Sequence, residues 1–215
     1  MDWVVLDMEA SPMTKQDALH MLQGLEGSTC AALIRVPFLD QHLIEHALDM
    51  GARGVVVPKV NTADEAERAV RACRFPPQGN RGINPVRASG YFSDVPGYLR
   101  RANAETVCVL QIESAEAVER ADEIAAVEGA DVLFMGMGDL SMALGQPTVM
   151  TGPAMDRARA AVLSAAHDHG KRAGIFAYSL ELAKEYVAEG FDMIAFGNDI
   201  KLFREAVQAS LGMLH

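Results

Sequence analysis

The chain has 215 residues, of which 50% are hydrophobic and 22% charged, with a net charge of −10. That hydrophobic share is too high for a disordered chain, and the length suits one sizeable core. Acidic residues outnumber basic ones 29 to 19 with no basic run, which disfavours nucleic acid or an anionic membrane as partner.

The N-terminal stretch, Met1 to Asp7, has no basic segment ahead of its apolar run, so no signal peptide is expected. No apolar segment approaches the ~20 residues of a bilayer span. Cys30, Cys73 and Cys108 form no CxxC pair, which argues against a zinc ribbon or a thioredoxin motif. A reducing, cytoplasmic setting is the expectation.

Short apolar runs then recur along the chain: Trp3–Leu6, Ala31–Val36, Gly54–Val57, Val107–Ile112, Val132–Met135, Ala173–Ala177 and Met193–Phe196. They do not alternate in polarity, the habit of parallel strands covered on both faces. Helical patterns lie between them. Thr62 with Glu65 reads as a capping box, and Ala66, Ala69, Val70 and Cys73 form the stripe behind it. Ser114 opens another helix, Ala154–His169 and Leu180–Glu189 read likewise, and Gly170 and Gly190 are candidate stops. The stretch from Asn84 toward Val107 reads as a long loop, with Arg87 in it as a candidate for recognising a second substrate or as a solvated side chain.

Alternating strands and helices predict a parallel α/β fold, either an open doubly wound sheet or a (β/α)8 TIM barrel. The first strand leads into Asp7-Met8-Glu9-Ala10-Ser11-Pro12, without the glycines of a dinucleotide loop. Polar residues instead follow nearly every strand: Asp7 and Glu9, Arg35, Lys59, Gln111 and Glu113, Asp139, Tyr178, Asn198 and Asp199. Barrel enzymes build their sites at that end, which favours the barrel. Only seven strands are countable, so one βα unit is missing from the pattern.

Glu113 and Asp139 at neighbouring strand ends could hold a hard divalent cation, Mg²⁺ or Mn²⁺, or be ordinary solvated or helix-capping carboxylates. Gly136-Met137-Gly138-Asp139 could cradle an anion or form a plain turn. Arg35, closing an apolar strand, reads as a clamp on a carbonyl or carboxylate, or as the partner of a structural acid. His42 and His46 lie one helical turn apart without a third metal ligand and read as surface or interface residues. Lys59 is a weak candidate for an imine.

Asp2-Trp3-Val4-Val5-Leu6-Asp7-Met8-Glu9, Ile34-Arg35-Val36-Pro37 and Val57-Pro58-Lys59-Val60 resemble blocks of the HpcH/HpaI aldolases. So do Arg74-Phe75-Pro76-Pro77-Gln78-Gly79 with Arg81-Gly82, Gln111-Ile112-Glu113, and Gly138-Asp139-Leu140-Ser141 with Leu144-Gly145, in the family's order across the chain. The resemblance implies one TIM-barrel domain over 1–215 and a metal-dependent lyase acting on 2-ketoacids through a pyruvate enolate. Glu113 and Asp139 match its metal ligands, and Arg35 its enolate-stabilising arginine. The amides of Gly138 and Asp139 match those holding the substrate carboxylate. Gln111 lies beside the metal site, Glu9 matches an acidic residue near the metal-bound water, and Asp7 precedes it.

Where the family reads Glu-His, this chain reads Glu9-Ala10. That histidine pairs with an aspartate of an adjacent subunit, matching Asp49, and losing such a relay forfeits ~10²–10⁴ in rate unless something replaces it. A siderophore-linked branch resembling a citrate synthase, and a non-catalytic ketoacid binder, are the other implied readings. The resemblance also implies a homo-oligomer, a trimer-based hexamer, with the amphipathic segment Ile200–Met213 at the interface. The family's barrel begins about 30 residues, one strand and helix, before the block at Asp2-Trp3.

Overall fold

The structure, a computed structural model, describes residues 1–213. Seven strands form one sheet: β1 (Trp3–Asp7), β2 (Ala31–Arg35), β3 (Gly54–Val57), β4 (Val107–Ile112), β5 (Val132–Met135), β6 (Arg172–Ala177) and β7 (Met193–Phe196). Each pairs in parallel with the next, in the order β1 to β7, so β1 and β7 are the sheet's edges. The helices are α1 (Lys15–Gly24), α2 (Gln41–Asp49), α3 (Ala63–Cys73), α4 (Val95–Glu105), α5 (Ala115–Glu119), α6 (Ala121–Ala125), α7 (Met137–Ala143), α8 (Pro153–Asp168), α9 (Leu180–Glu189) and α10 (Asp199–Gly212). This is the βα alternation of a TIM-like fold, with the sheet curled but not closed on itself. No helix among the described residues is long and apolar enough to cross a membrane.

Every strand lies where a continuous apolar run predicts it, within a residue at each end. The runs are continuous because the central strands are covered twice. Ala32, Ile34, Val55, Val57, Cys108, Leu110 and Ile112 pack outward with the helices. The residues between them, Leu33, Val56, Val109 and Val132, form a second apolar cluster on the opposite face with Trp3, Val5 and Phe134. The edge strands lose that cover: β3 is buried throughout, whereas β1 and β7 are mostly half-buried.

The helix signals hold with one change. Thr62 caps α3 by accepting from the Glu65 amide, but the Glu65 carboxylate accepts from the amide of Asn61 rather than closing the box on Thr62. The complete capping box belongs to α1, between Thr14 and Asp17, with aspartate in the glutamate position. Gly190 ends α9 in the left-handed region. The stretch expected as a long loop before Val107 contains α4, opened by an Asp94 cap with proline in its first turn. α10 buries none of its residues, and Ile200, Phe203 and Leu211 are more than half exposed.

Candidate active site

Side chains in a strand alternate between faces, so the inner apolar cluster predicts what stands above it. Two residues beyond Val5 is Asp7; beyond Leu33, Arg35; beyond Val109, Gln111 and then Glu113; beyond Val132 and Phe134, Gly136. One pleat register thus lifts a group of polar residues over an apolar floor at the C-terminal ends of the strands.

Arg35 organises one half. Its Nε donates to Asp7 Oδ1 at 2.8 Å and its Nη2 to Asp7 Oδ2 at 2.6 Å, a bidentate fork, while Nη1 lies 3.0 Å from Glu9 Oε2. Burial works to raise the Asp7 carboxyl, but the Arg35 guanidinium and the amides of Glu9 and Ala10 outweigh it and hold Asp7 below its ordinary value. Glu9 goes the other way. Burial, helped by the charges of Asp7 and Asp139, pushes it up against Arg35 and Lys59, whose Nζ is 3.9 Å from Glu9 Oε1.

Glu113 organises the other half. Its Oε1 accepts from the backbone N–H of Lys59 at 2.8 Å and its Oε2 from Gln111 Nε2. Lys59 holds a left-handed backbone, φ 54°, an uncommon state for a residue with a Cβ. Burial raises Glu113 to about 7, overcoming those two hydrogen bonds, and the charges of Glu9 and Asp139 add to the rise. Four carboxylates, Asp7, Glu9, Glu113 and Asp139, therefore face two cations, Arg35 and Lys59. Tyr178 also belongs to this mouth: burial and the Asp139 charge push its phenol up, with Arg35 opposing.

Gly136 is a glycine for lack of space. A methyl group there would stand 2.4 Å from Glu113 Oε2 and 2.7 Å from Gln111 Nε2. Gly136→Ala is expected to displace both side chains and lower kcat/KM at least tenfold, whereas Gly24→Ala, whose methyl group would meet no atom within 4 Å, leaves the site in place. Steady-state kinetics of the two variants checks this.

Two sequence candidates stand apart. Asp49 accepts from Arg81 Nη2 at 2.7 Å, and it lines a separate cavity of about 280 Å³ with His42, Glu45 and His46. Burial raises Asp49 despite Arg81. Arg87 is directed away from the strand-end group. Its Nη1 donates to the carbonyl of Met50 at 2.6 Å and Nη2 to that of Leu22, so it fastens its loop to α1 and α2. Sequence reasoning passed over the Lys59 amide, which no side-chain motif reports, and gave Tyr178 no role beyond its place after a strand.

Among the described residues, no three His, Cys, Asp or Glu side chains form a metal cage. A magnesium-type site needs less, because such an ion is held by one or two carboxylates plus water and substrate oxygens. Glu113 and Asp139 fit that requirement. Both are hard oxygen donors, and Glu113 is buried facing negative charge that its own hydrogen bonds do not offset.

The sequence profile of the HpcH/HpaI aldolase/citrate lyase family matches residues 1–206. A 5-keto-4-deoxy-D-glucarate aldolase of Klebsiella pneumoniae subsp. pneumoniae is 37% identical over 207 residues, 96% of this chain and 81% of that protein. The crystal structure of a HpcH/HpaI aldolase/citrate lyase family protein from Burkholderia cenocepacia superposes with a TM-score of 0.94 at 34% identity, covering 99% of this chain and 85% of the other. The citrate synthase SbnG superposes with a TM-score of 0.88 at 28% identity, over 99% of this chain and 83% of its own. The chain belongs to the HpcH/HpaI aldolase/citrate lyase family of enzymes.

Proposed function

We propose that this enzyme cleaves and forms the carbon–carbon bond of a 4-hydroxy-2-ketoacid through the enolate of pyruvate. The observation that carries the reading is the opposition of Arg35 to a buried, charge-crowded Glu113 beside Asp139. Glu113 and Asp139 would hold Mg²⁺ or Mn²⁺, which when bound supplies a Lewis acid for the ketoacid oxygens. Arg35 stabilises negative charge on the enolate oxygen, and its fork with Asp7 fixes the guanidinium before substrate arrives. Asp7 stays ionised, and this makes it an anchor. Glu9 is raised and faces Arg35 and Lys59, and we assign it the proton transfer that Ala10 has no group to perform. Gln111 orients Glu113, and the amides of Gly138 and Asp139 receive the substrate carboxylate. No side-chain cap engages the start of α7, which leaves those amides available.

In D₂O with Mg²⁺, the C3 protons of pyruvate are expected to exchange, and a chelator is expected to stop the exchange. Retention of exchange in chelator would refute the metal-dependent reading. The likeness to SbnG, together with Ala10 in place of an imidazole, supports a second reading in which oxaloacetate and an acetyl thioester form citrate. Release of free thiol from acetyl-CoA in the presence of oxaloacetate separates the two.

We further propose a homo-oligomer, trimer-based and hexameric, in which α10 packs on a neighbouring copy. Its unburied apolar residues support this. Light scattering coupled to size-exclusion chromatography is expected to give a multiple of 23.2 kDa, and a monomer would sink the proposal. The open edges at β1 and β7 support an eighth parallel strand between them in the complete barrel.

A further inference from the structure

Tyr178 follows β6 directly, in the same pleat register as Gly174 and Phe176, and its phenol reaches the mouth of the site. A methyl group built on Gly138 would stand 3.2 Å from its Oη. The hydroxyl feels the charges of both Asp139 and Arg35, and among the described residues it has no hydrogen-bond partner.

The position is braced on several sides. The ring of Phe176 meets the phenol edge-on, with centroids 4.8 Å apart. The backbone carbonyl of Tyr178 accepts from Lys201 Nζ of α10, and the next residue, Ser179, caps α9 by accepting from the Leu182 amide. Ring and backbone are held while the hydroxyl is left unengaged.

A 2-ketoacid is an anion, and it enters a mouth that already contains four carboxylates. It needs donors. Arg35 has its Nε, Nη1 and Nη2 directed at Asp7 and Glu9, and the Lys59 amide is taken by Glu113. The Tyr178 hydroxyl is a donor without a competing acceptor inside the protein.

We propose that Tyr178 contacts the substrate, its phenol O–H donating a hydrogen bond to an oxygen of the 2-ketoacid bound beside Gly138 and Asp139. This assignment rests on the ketoacid reading of the site. The O–H is present before and after the enolate forms, so its loss weakens binding more than the chemical step.

Pyruvate C3-proton exchange in D₂O with Mg²⁺ tests it in the full-length protein. Tyr178→Phe keeps the ring and its Phe176 contact. Its KM for pyruvate is expected to rise about ten- to a hundredfold, the cost of one hydrogen bond to a charged group, with kcat within about threefold. An unchanged melting temperature without ligand confirms that the fold is intact. A rise in KM under about threefold overturns the proposal. Gly138→Ala supplies a second measurement, because its methyl group crowds Oη only when Oη is there. It should raise KM less in the Tyr178→Phe background than in wild type, and equal effects in both overturn the contact. If wild-type protein neither exchanges pyruvate protons nor is stabilised by pyruvate with Mg²⁺, the ketoacid reading itself fails, an outcome that no comparison among the variants can imitate.

Discussion

On the proposed metal-dependent reading, Glu113→Gln is expected to lower kcat/KM for ketoacid cleavage by about 10³-fold or more, since a divalent cation bound there would supply several kcal/mol of charge stabilisation at the ketoacid oxygens. The replacement keeps the volume of Glu113 and an oxygen for the Lys59 amide, with Gln111 free to turn its own amide. The same variant has a signature that does not involve turnover. In the metal-free protein Glu113 titrates near 7, whereas an unfolded glutamate titrates near 4.5. Between those values the folded state binds more protons than the unfolded one, so stability falls as pH rises from 4.5 to 7 and stays reduced above. At about 1.4 kcal/mol per unit the loss is on the order of 3 kcal/mol. Urea unfolding in chelator at pH 5 and pH 8 should show this fall in wild type and a distinctly smaller one in Glu113→Gln, where only the raised Glu9 and Asp49 remain. Full activity in the variant would refute the assignment of Glu113.

Arg35→Met is expected to cost about 10²–10³ in kcat, comparable to removing one preorganised donor from a developing oxyanion. The removal also strips Asp7 of its fork and leaves a half-buried carboxylate facing Glu9, so the single variant is expected to be less stable as well. Adding Asp7→Asn separates the effects. The double variant should regain stability, because the stranded charge is gone, and should remain as slow as Arg35→Met. Recovery of rate in the double variant would make Arg35 a structural partner of Asp7 and no more. Rates and denaturant midpoints measured on the three proteins decide it.

The sheet was legible because double burial leaves a mark that local sequence carries: Val-, Ile- and Leu-rich runs such as Gly54–Val57 need no knowledge of their neighbours. The Glu113, Arg35 and Gln111 group was legible for the same reason, since each is a polar residue closing an apolar run. What escaped was set by distance in the chain. α4 is opened by Asp94 and Pro96 in a stretch whose glycines and prolines read as loop. Arg87 read as a substrate-recognising or solvated guanidinium because the carbonyls that hold it, Met50 and Leu22, are 37 and 65 residues away. Glu65 missed its expected donor, the Thr62 amide, by one residue, a choice made by the path of the chain at Asn61.

The left-handed turn at Lys59 separates two duties that share one residue. Its amide serves Glu113, and any residue able to hold φ near +54° can present that amide. Its ammonium faces Glu9, and only the side chain supplies that. A residue with a Cβ spends roughly 1–2 kcal/mol to stand in this region, which glycine would not. The lysine marks a position where foldability has been traded for a positive charge at the mouth, and Lys59→Gly should make a sturdier protein with a poorer site.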